Sequence, residues 1–412
     1  MNKQTNYKRR KDCRICGSEE LEKILDLGET PLANAFVSKN DLNKKESRFP
    51  LTVHYCKNCS LVQVPDVVHP KILFSDYYFL TSASSPSIDH FIKYSKEILD
   101  KFIKSANDLV VDIGGNDGVL LNELKNKCQI LNVEPAKNIA LISRKKGIET
   151  FNEFFTKKTV SKIFKNYGKA KVVTANNIIA HTDTVKRLFE DVSDLISDDG
   201  VFVFETHWVR NLIGEGGFDQ VYHEHLCYYS LHALRHMVES VGLKIFDVIT
   251  VPVQGESLRV YVSKNIKPKK SVQEFLNREE KLGLNKIKTF SDFSEKVIEN
   301  KEKTIDLLKA LKEKGKKIVG YGAPAKGSTL LNFYGIGKET IDYIIDTTPL
   351  KQGMFTPGTH IPIYSPDKIN QLKPDYVLIL AWNYADAILK KEDNLRRQGV
   401  KFIIPVPKVR VV

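Results

Sequence analysis

Apolar and polar positions along this chain change period several times, and each change marks an element. Leu109-Val110-Val111-Asp112-Ile113 is a short β-branched run and predicts a buried strand. It breaks at Gly114-Gly115-Asn116-Asp117-Gly118, and Val119, Leu120, Leu121 and Leu124 then return at helical spacing. Ile130-Leu131-Asn132-Val133-Glu134 is a second strand ending in a carboxylate. Another strand begins at Val172, and Val201-Phe202-Val203-Phe204-Glu205 makes one more. A helix is predicted from Ile88 to Ile103. From Asp108 to about Lys264 strands alternate with helices, which predicts a parallel sheet covered on both faces. Ser271 to about Leu311 reads as helical, with Phe275, Leu282, Phe290, Val297, Ile305 and Leu308 on one face. Then the strand-glycine-helix pattern recurs in Lys317 to Gly327. Strands follow at Ile341 to Ile345, ending in Asp346, and at Tyr376 to Leu380.

A chain of 412 residues is too long for one ordinary core, and about two or three domains are expected. The expected class is α/β. A small N-terminal module (1–72), whose cysteines are taken up below, precedes a Rossmann-like domain (73–265), a helical linker (266–300) and a C-terminal Rossmann-like domain (301–412). No apolar run reaches membrane-spanning length, and the basic N-terminus lacks the apolar core of a secretory signal, so a cytoplasmic protein is expected. The net charge is +13, with denser lysines at 264–270 and 312–317. That excess favours anionic substrates at long range. No continuous basic face with interleaved aromatics supports nucleic-acid binding, and no membrane partner is expected.

Four of the six cysteines form two CxxC knuckles, Cys13-Arg14-Ile15-Cys16 and Cys56-Lys57-Asn58-Cys59. Two knuckles supply four thiolates for one tetrahedral zinc with no open position, hence a structural metal. Leu25, Leu27, Leu32, Phe36, Leu51 and Val53 are thin apolar content for a module folding without it. Cys128 and Cys227 stand alone and read as buried hydrophobes.

The glycine turn after Asp112 lets a ligand approach the backbone. It is neither GxGxxG nor a phosphate loop, because the third glycine and the Lys-Ser/Thr pair are missing. Glu134 stands where a Rossmann-like sheet presents an acid to ribose hydroxyls. Asp112, Gly114, Asn116, Asp117 and Glu134 are therefore the cofactor candidates. Asn177, in Ala175-Asn176-Asn177-Ile178-Ile179-Ala180-His181 at another strand end, joins them. Tyr222 to Tyr229 hold two histidines, a glutamate and three tyrosines within eight positions. General acid-base chemistry fits this cluster best, with His225 titrating near neutrality and Glu224 or Tyr222 orienting it or sharing a proton. His181 is the competing base. Lys326, at a predicted helix start, suits a pyrophosphate. The aromatic cluster Phe74 to Phe79 reads either as a site entrance or as packing between modules.

These motifs together resemble the S-adenosylmethionine-dependent nucleotide-sugar C-methyltransferases of deoxysugar biosynthesis. The resemblance rests on CRICGS with LDLGETPLANAF, HYCKNCSLVQ, DIGGNDGVLL, FDQVYHEHLCYYS, YGAPAKGSTLLN, TPGTHIPI and LAWNYAD, and spans nearly the whole chain. It implies a zinc-binding N-terminal module, a methyl-donor domain and a C-terminal domain that helps hold the nucleotide. It also implies His225 as base beside Tyr222 and Glu224, with Asp76 or Tyr77 near the sugar of a nucleotide-linked keto-deoxysugar. The family usually has HGGS where this chain reads Gln254-Gly255-Glu256-Ser257, followed by Leu258-Arg259, a candidate substrate contact. It more often has an apolar, proline-containing turn where Glu205-Thr206-His207-Trp208 stands. An O- or N-methyltransferase and a non-enzymatic zinc- and nucleotide-binding protein are the alternatives. A monomer or weak homo-oligomer is expected. The sugar, the base and the methylated carbon stay open.

Overall fold

The computed structural model describes residues 6–73, 80–83, 85–253 and 256–412. Asp76 and Tyr77, with the rest of the aromatic cluster, lie outside the described residues.

The strand Leu109–Ile113 is buried at all five positions and has parallel neighbours on both sides, Gln129–Val133 and Ala170–Asn176. A strand with no wet face has no need of polar alternation, which is why its sequence is almost continuously apolar. Among the described residues its sheet has seven strands. Their spatial order is Lys244–Val251, Ser257–Ser263, Ile196–His207, Ala170–Asn176, Leu109–Ile113, Gln129–Val133 and Thr150–Phe151. Only Ser257–Ser263 runs antiparallel to its neighbours. The expected helix after the glycine turn is a single turn, Val119–Asn122. Few residues separate it from the next strand, and Asn126 already takes a positive φ of 65°. Leu124 still packs in the core.

The helical stretch after the sheet is two helices, Lys270–Lys281 and Ile287–Glu313. Gly283, at φ +68°, ends the first by taking the left-handed conformation that suits glycine. The second runs through position 300. There Asn300 donates to Tyr334 Oη (3.1 Å) and Pro405 O (2.7 Å) and accepts from Val409 N (2.8 Å), tying the helix to the C-terminal part of the chain. That part is a six-stranded sheet centred on Ile318–Tyr321, with Ile344–Ile345 and Tyr376–Ile379 parallel on either side.

The N-terminal module is an antiparallel sheet in which Leu21–Pro31 pairs with Arg48–Cys56, and Arg48–Cys56 with Val62–Gln63. Its last strand is Cys227–Tyr228, which comes from the middle part of the chain and pairs with Val62–Gln63. The apolar residues that looked thin in isolation, Leu25, Leu27, Leu51 and Val53, join one continuous core shared with the rest of the chain. No helix among the described residues is long and apolar enough to cross a membrane.

Candidate active site

The sulfurs of Cys13, Cys16, Cys56 and Cys59 all lie within 4.8 Å of one another. The knuckle turns close by Gly17 N–H donating to Cys13 O (3.0 Å) and Ser60 N–H to Cys56 O (2.9 Å), with Gly17 and Ser60 at positive φ. Zinc–sulfur bonds of about 2.3 Å need thiolates this close, and a four-sulfur set closes the tetrahedron. The residues therefore fit a structural zinc.

The module grips the segment that carries the acid-base cluster. Besides the Cys227–Tyr228 pairing, Val64 N–H donates to Leu226 O (2.9 Å), while on the other side Leu226 N–H donates to Ala180 O (2.7 Å) of the turn Ile179–His181. His223 Nε2 donates to Pro50 O (3.1 Å), and Asn34 Nδ2 to Glu224 Oε1 (2.7 Å). Arg14, inside the first knuckle, reaches Asp183 (3.1 Å), two residues beyond His181.

Within the grip, His225 is fixed at both nitrogens. Its Nδ1 lies 3.1 Å from Gln220 O. A carbonyl only accepts, so Nδ1 carries the proton and Nε2 the lone pair, to which the Tyr222 hydroxyl donates at 2.9 Å. By the same reasoning His181 Nδ1 donates to Glu224 O (2.7 Å). Burial holds His225 well below the ordinary histidine range, and the neighbouring His181 and His207 add to this. Burial lowers His181 too. The structure thus gives Tyr222 the contact with His225. The Glu224 carboxylate faces Asn34 instead, and burial raises its pKa while Asn34 lowers it. Two participants escaped the sequence reading. The Gln220 carbonyl has no side-chain signal. His207 did have one: a polar residue ending the apolar strand at Val201 to Glu205.

The glycine turn Gly114 to Gly118 lies at the carboxyl end of the strand Leu109–Ile113 in the seven-stranded sheet. Asp112 is 2% exposed and accepts from Thr174 Oγ1 (2.6 Å). Burial pushes its carboxyl up to about 7; the Thr174 hydroxyl opposes this, and Glu134 adds to it. Glu134 accepts from Asn116 N (3.1 Å) and Ala136 N (2.9 Å), so it clamps the glycine turn. A Cβ on Gly115 would lie 2.5 Å from Asp112 Oδ2, and one on Gly114, at φ +63°, 2.3 Å from Ile178 Cδ1. Asp117 is fully buried and paired with Lys146 Nζ (2.8 Å), behind the turn. Ile113 pairs with Ala175, so Asn176 and Asn177 continue beside the turn. Both amide oxygens are buried without a donor among the described residues. Orphaned acceptors beside a buried carboxylate fit a ligand that brings N–H donors and positive charge.

The C-terminal sheet repeats this device. Asp346 accepts from Ala323 N (2.7 Å) of its glycine turn and from Thr348 N (2.7 Å), two residues on, as Glu134 does from Asn116 and Ala136. Lys326 opens the helix Ala325–Tyr334, donates to Asn383 Oδ1 (2.5 Å) and stands 3.9 Å over the Trp382 ring. Burial lowers its pKa, and Asp219 and Glu215 raise it. From the same helix Thr329 Oγ1 donates to Val221 O (3.1 Å), which brings it against the His225 loop. Arg259 is 4% exposed. Its guanidinium binds Glu205 (2.6 Å) and Glu97 (2.6 Å) and lies 3.6 Å over the Tyr94 ring, so its bonds are with protein groups. Glu256 takes φ +82°, held by Arg210 (3.2 Å) and by Asn211 Nδ2 on its carbonyl. A glycine fits that left-handed turn freely, whereas a glutamate needs such anchors.

Numbered along the chain, the sheet's spatial order is 6-7-5-4-1-2-3 with the seventh strand antiparallel, and a glycine turn between two acids follows the first. This is the fold of a class I S-adenosylmethionine-dependent methyltransferase. Three family models match in series: a zinc binding domain (residues 13–74), a methyltransferase domain (89–248) and a C-methyltransferase C-terminal domain (252–407). The chain is 33% identical over 407 residues to the C-methyltransferase NovU of Streptomyces niveus, covering 97% of this chain and 96% of that protein. It belongs to this family of S-adenosylmethionine-dependent C-methyltransferases. Among solved structures, an S-adenosylmethionine-dependent methyltransferase of Clostridium acetobutylicum is 15% identical with a TM-score of 0.34, covering 48% of this chain and 95% of that one. A Thermotoga maritima methyltransferase is 14% identical with a TM-score of 0.33, covering 43% and 91%. Likeness of that size carries no weight for the chemistry.

Proposed function

We propose that the enzyme methylates a carbon of a nucleotide-linked 4-keto deoxysugar through an enolate, with His225 as the base. The observation that carries this is the fixed tautomer of His225. The Tyr222 hydroxyl donates to its Nε2; when that O–H turns to the substrate's carbonyl oxygen, the lone pair is free to take the proton at Nε2 while Nδ1–H stays on Gln220 O. A carbon next to a ketone loses a proton to such a base, and the Tyr222 hydroxyl is the donor at hand for the enolate oxygen. Asp112, Asn116, Glu134 and Asn177 would hold S-adenosylmethionine, which supplies an electrophilic methyl group. Gly114 keeps the turn, and Asp117 braces it through Lys146. Lys326, with Asp219 supporting its charge, would take the diphosphate. Asp76 and Tyr77 are assigned to the sugar by resemblance alone. Zinc shapes the site and takes no part in the reaction.

The test is deuterium uptake from heavy water into the 4-keto substrate, without and with methyl donor. An O- or N-methyltransferase needs no such exchange. His225→Asn should bind both ligands yet lose exchange and methylation together. His181→Asn should weaken methylation less. Normal exchange in His225→Asn, with loss in His181→Asn, would transfer the role to His181.

A further inference from the structure

Arg14 stands between Cys13 and Cys16, and its side chain is fully buried. One end of it is fixed by Gln63, whose Oε1 accepts from both Arg14 N (3.1 Å) and Arg14 Nη1 (3.1 Å). The other end donates through Nε to Asp183 Oδ1 (3.1 Å). Asp183 follows the turn Ile179–His181, and the ring centroid of His181 lies 4.9 Å from that of His225. Gln63 itself pairs with Cys227, two residues beyond His225. We propose that Arg14 is a positioning residue. It carries the order of the first knuckle to the turn Ile179–His181 and so sets where that turn meets the base. This rests on the reading of His225 as the base.

Charge alone does not explain the residue. Asp183 already has two other cations, Lys8 (2.7 Å) and Arg10 (3.4 Å). Lys8 is mostly exposed, and Arg10 is shared with Asp12 (2.7 Å). Arg14 differs from both in standing between two knuckle cysteines and in being held by Gln63 at backbone and side chain. A guanidinium is a planar fork, so fixing Nη1 on Gln63 also fixes where Nε points. A lysine ammonium on its flexible stem cannot hold both acceptors that way. Arg14 Nη2 is buried without an acceptor among the described residues. A divalent zinc held by four thiolates leaves that set negative, which gives a buried cation in the same loop a counter-charge. On its other face the turn meets the loop of the base through Leu226 N–H on Ala180 O (2.7 Å) and His181 Nδ1–H on Glu224 O (2.7 Å). The turn is thus clasped between Arg14 and the loop that carries His225. A displacement of about 1 Å in such a frame costs up to about a hundredfold in rate.

Two substitutions separate the fork from the charge. Arg14→Met keeps a long stem and removes both, whereas Arg14→Lys keeps the charge and removes the fork. Each variant should retain its zinc by metal analysis and bind S-adenosylmethionine within about threefold. In each, kcat for deuterium exchange should fall about tenfold or more, with the KM of the acceptor little changed. The parent's rate in Arg14→Lys would show that Arg14 only neutralises Asp183, and would overturn the proposal. Zinc lost in step with exchange in both variants would overturn it too, because Arg14 would then act on the metal and not on the turn. Where Arg14→Met does not fold, Arg14→Lys carries the test by itself. If His225→Asn exchanges deuterium as the parent does, the base assignment fails and this inference with it. Exchange lost in His225→Asn but intact in the Arg14 variants overturns the role of Arg14 alone.

Discussion

Single side chains set the properties of the donor turn. A carboxylate at Asp112 was legible as an acid ending a strand, and so was Glu134. Their partners were not, because Thr174 lies 62 residues away and meets Asp112 only through the parallel pairing of two strands. That hydroxyl is one of the forces deciding whether Asp112 is ionised. Burial raises the group to about 7, and the Thr174 hydrogen bond favours the charged form. Thr174→Val should therefore push the carboxyl further up. Affinity for a positively charged donor, which needs the anion, should then rise with pH along a curve displaced to higher pH. Calorimetric titration of S-adenosylmethionine between pH 6 and 8.5 checks this; curves that superimpose would show that Asp112 does not titrate against the donor. His207 and Glu256 stand in the two stretches that the sequence marked as unusual, Glu205 to Trp208 and Gln254 to Arg259. The first has its ring against that of His225 and the second sits in a left-handed turn. The departures were visible in the sequence, but what each residue touches was not.

At the scale of elements, the strand-glycine-helix units were read correctly because a buried parallel strand has a nearly unbroken apolar signature. What pattern could not show was sharing between modules. Cys227–Tyr228 completes a sheet begun some two hundred residues earlier, and its two residues alternate too briefly to signal a strand. That strand ties the zinc-binding module to the His225 segment, with only Leu226 between them. On the proposed role of His225, loss of zinc should cost the base chemistry, while the glycine turn after Ile113, on another sheet, persists. Chelating the metal, or Cys16→Ser, should reduce deuterium exchange about a hundredfold or more while S-adenosylmethionine still binds within about threefold. Zinc-free protein that exchanges at the normal rate would show that the module does not position the loop.

For the molecule as a whole, the contact between the middle and C-terminal parts holds an expensive group. Asp219 is fully buried, accepts from Trp382 Nε1 (2.7 Å) through Oδ2, and leaves Oδ1 without a partner among the described residues. Burial lifts it from 3.8 to about 6, against the pull of Lys326 and the indole. Below 3.8 the acid is protonated folded or unfolded, and above about 6 it is ionised in both states. Between those values the unfolded chain releases the proton first, so stability falls as pH rises through the window, by about 3 kcal/mol in all. Asp219→Asn keeps an acceptor for the indole and removes the buried charge. It should be more stable than the parent at pH 7 by up to about 3 kcal/mol, and nearly equal to it at pH 3.5. Urea denaturation at the two pH values measures this, and a variant less stable than the parent at pH 7 would refute it. The same carboxylate raises the pKa of the half-buried Lys326. The stabilised variant should therefore hold a diphosphate-bearing acceptor less tightly, with a higher acceptor KM. A chain with a net charge of +13 has many lysines on its surface. The one set against Trp382 in this contact keeps its charge with help from an acid whose burial weakens the fold.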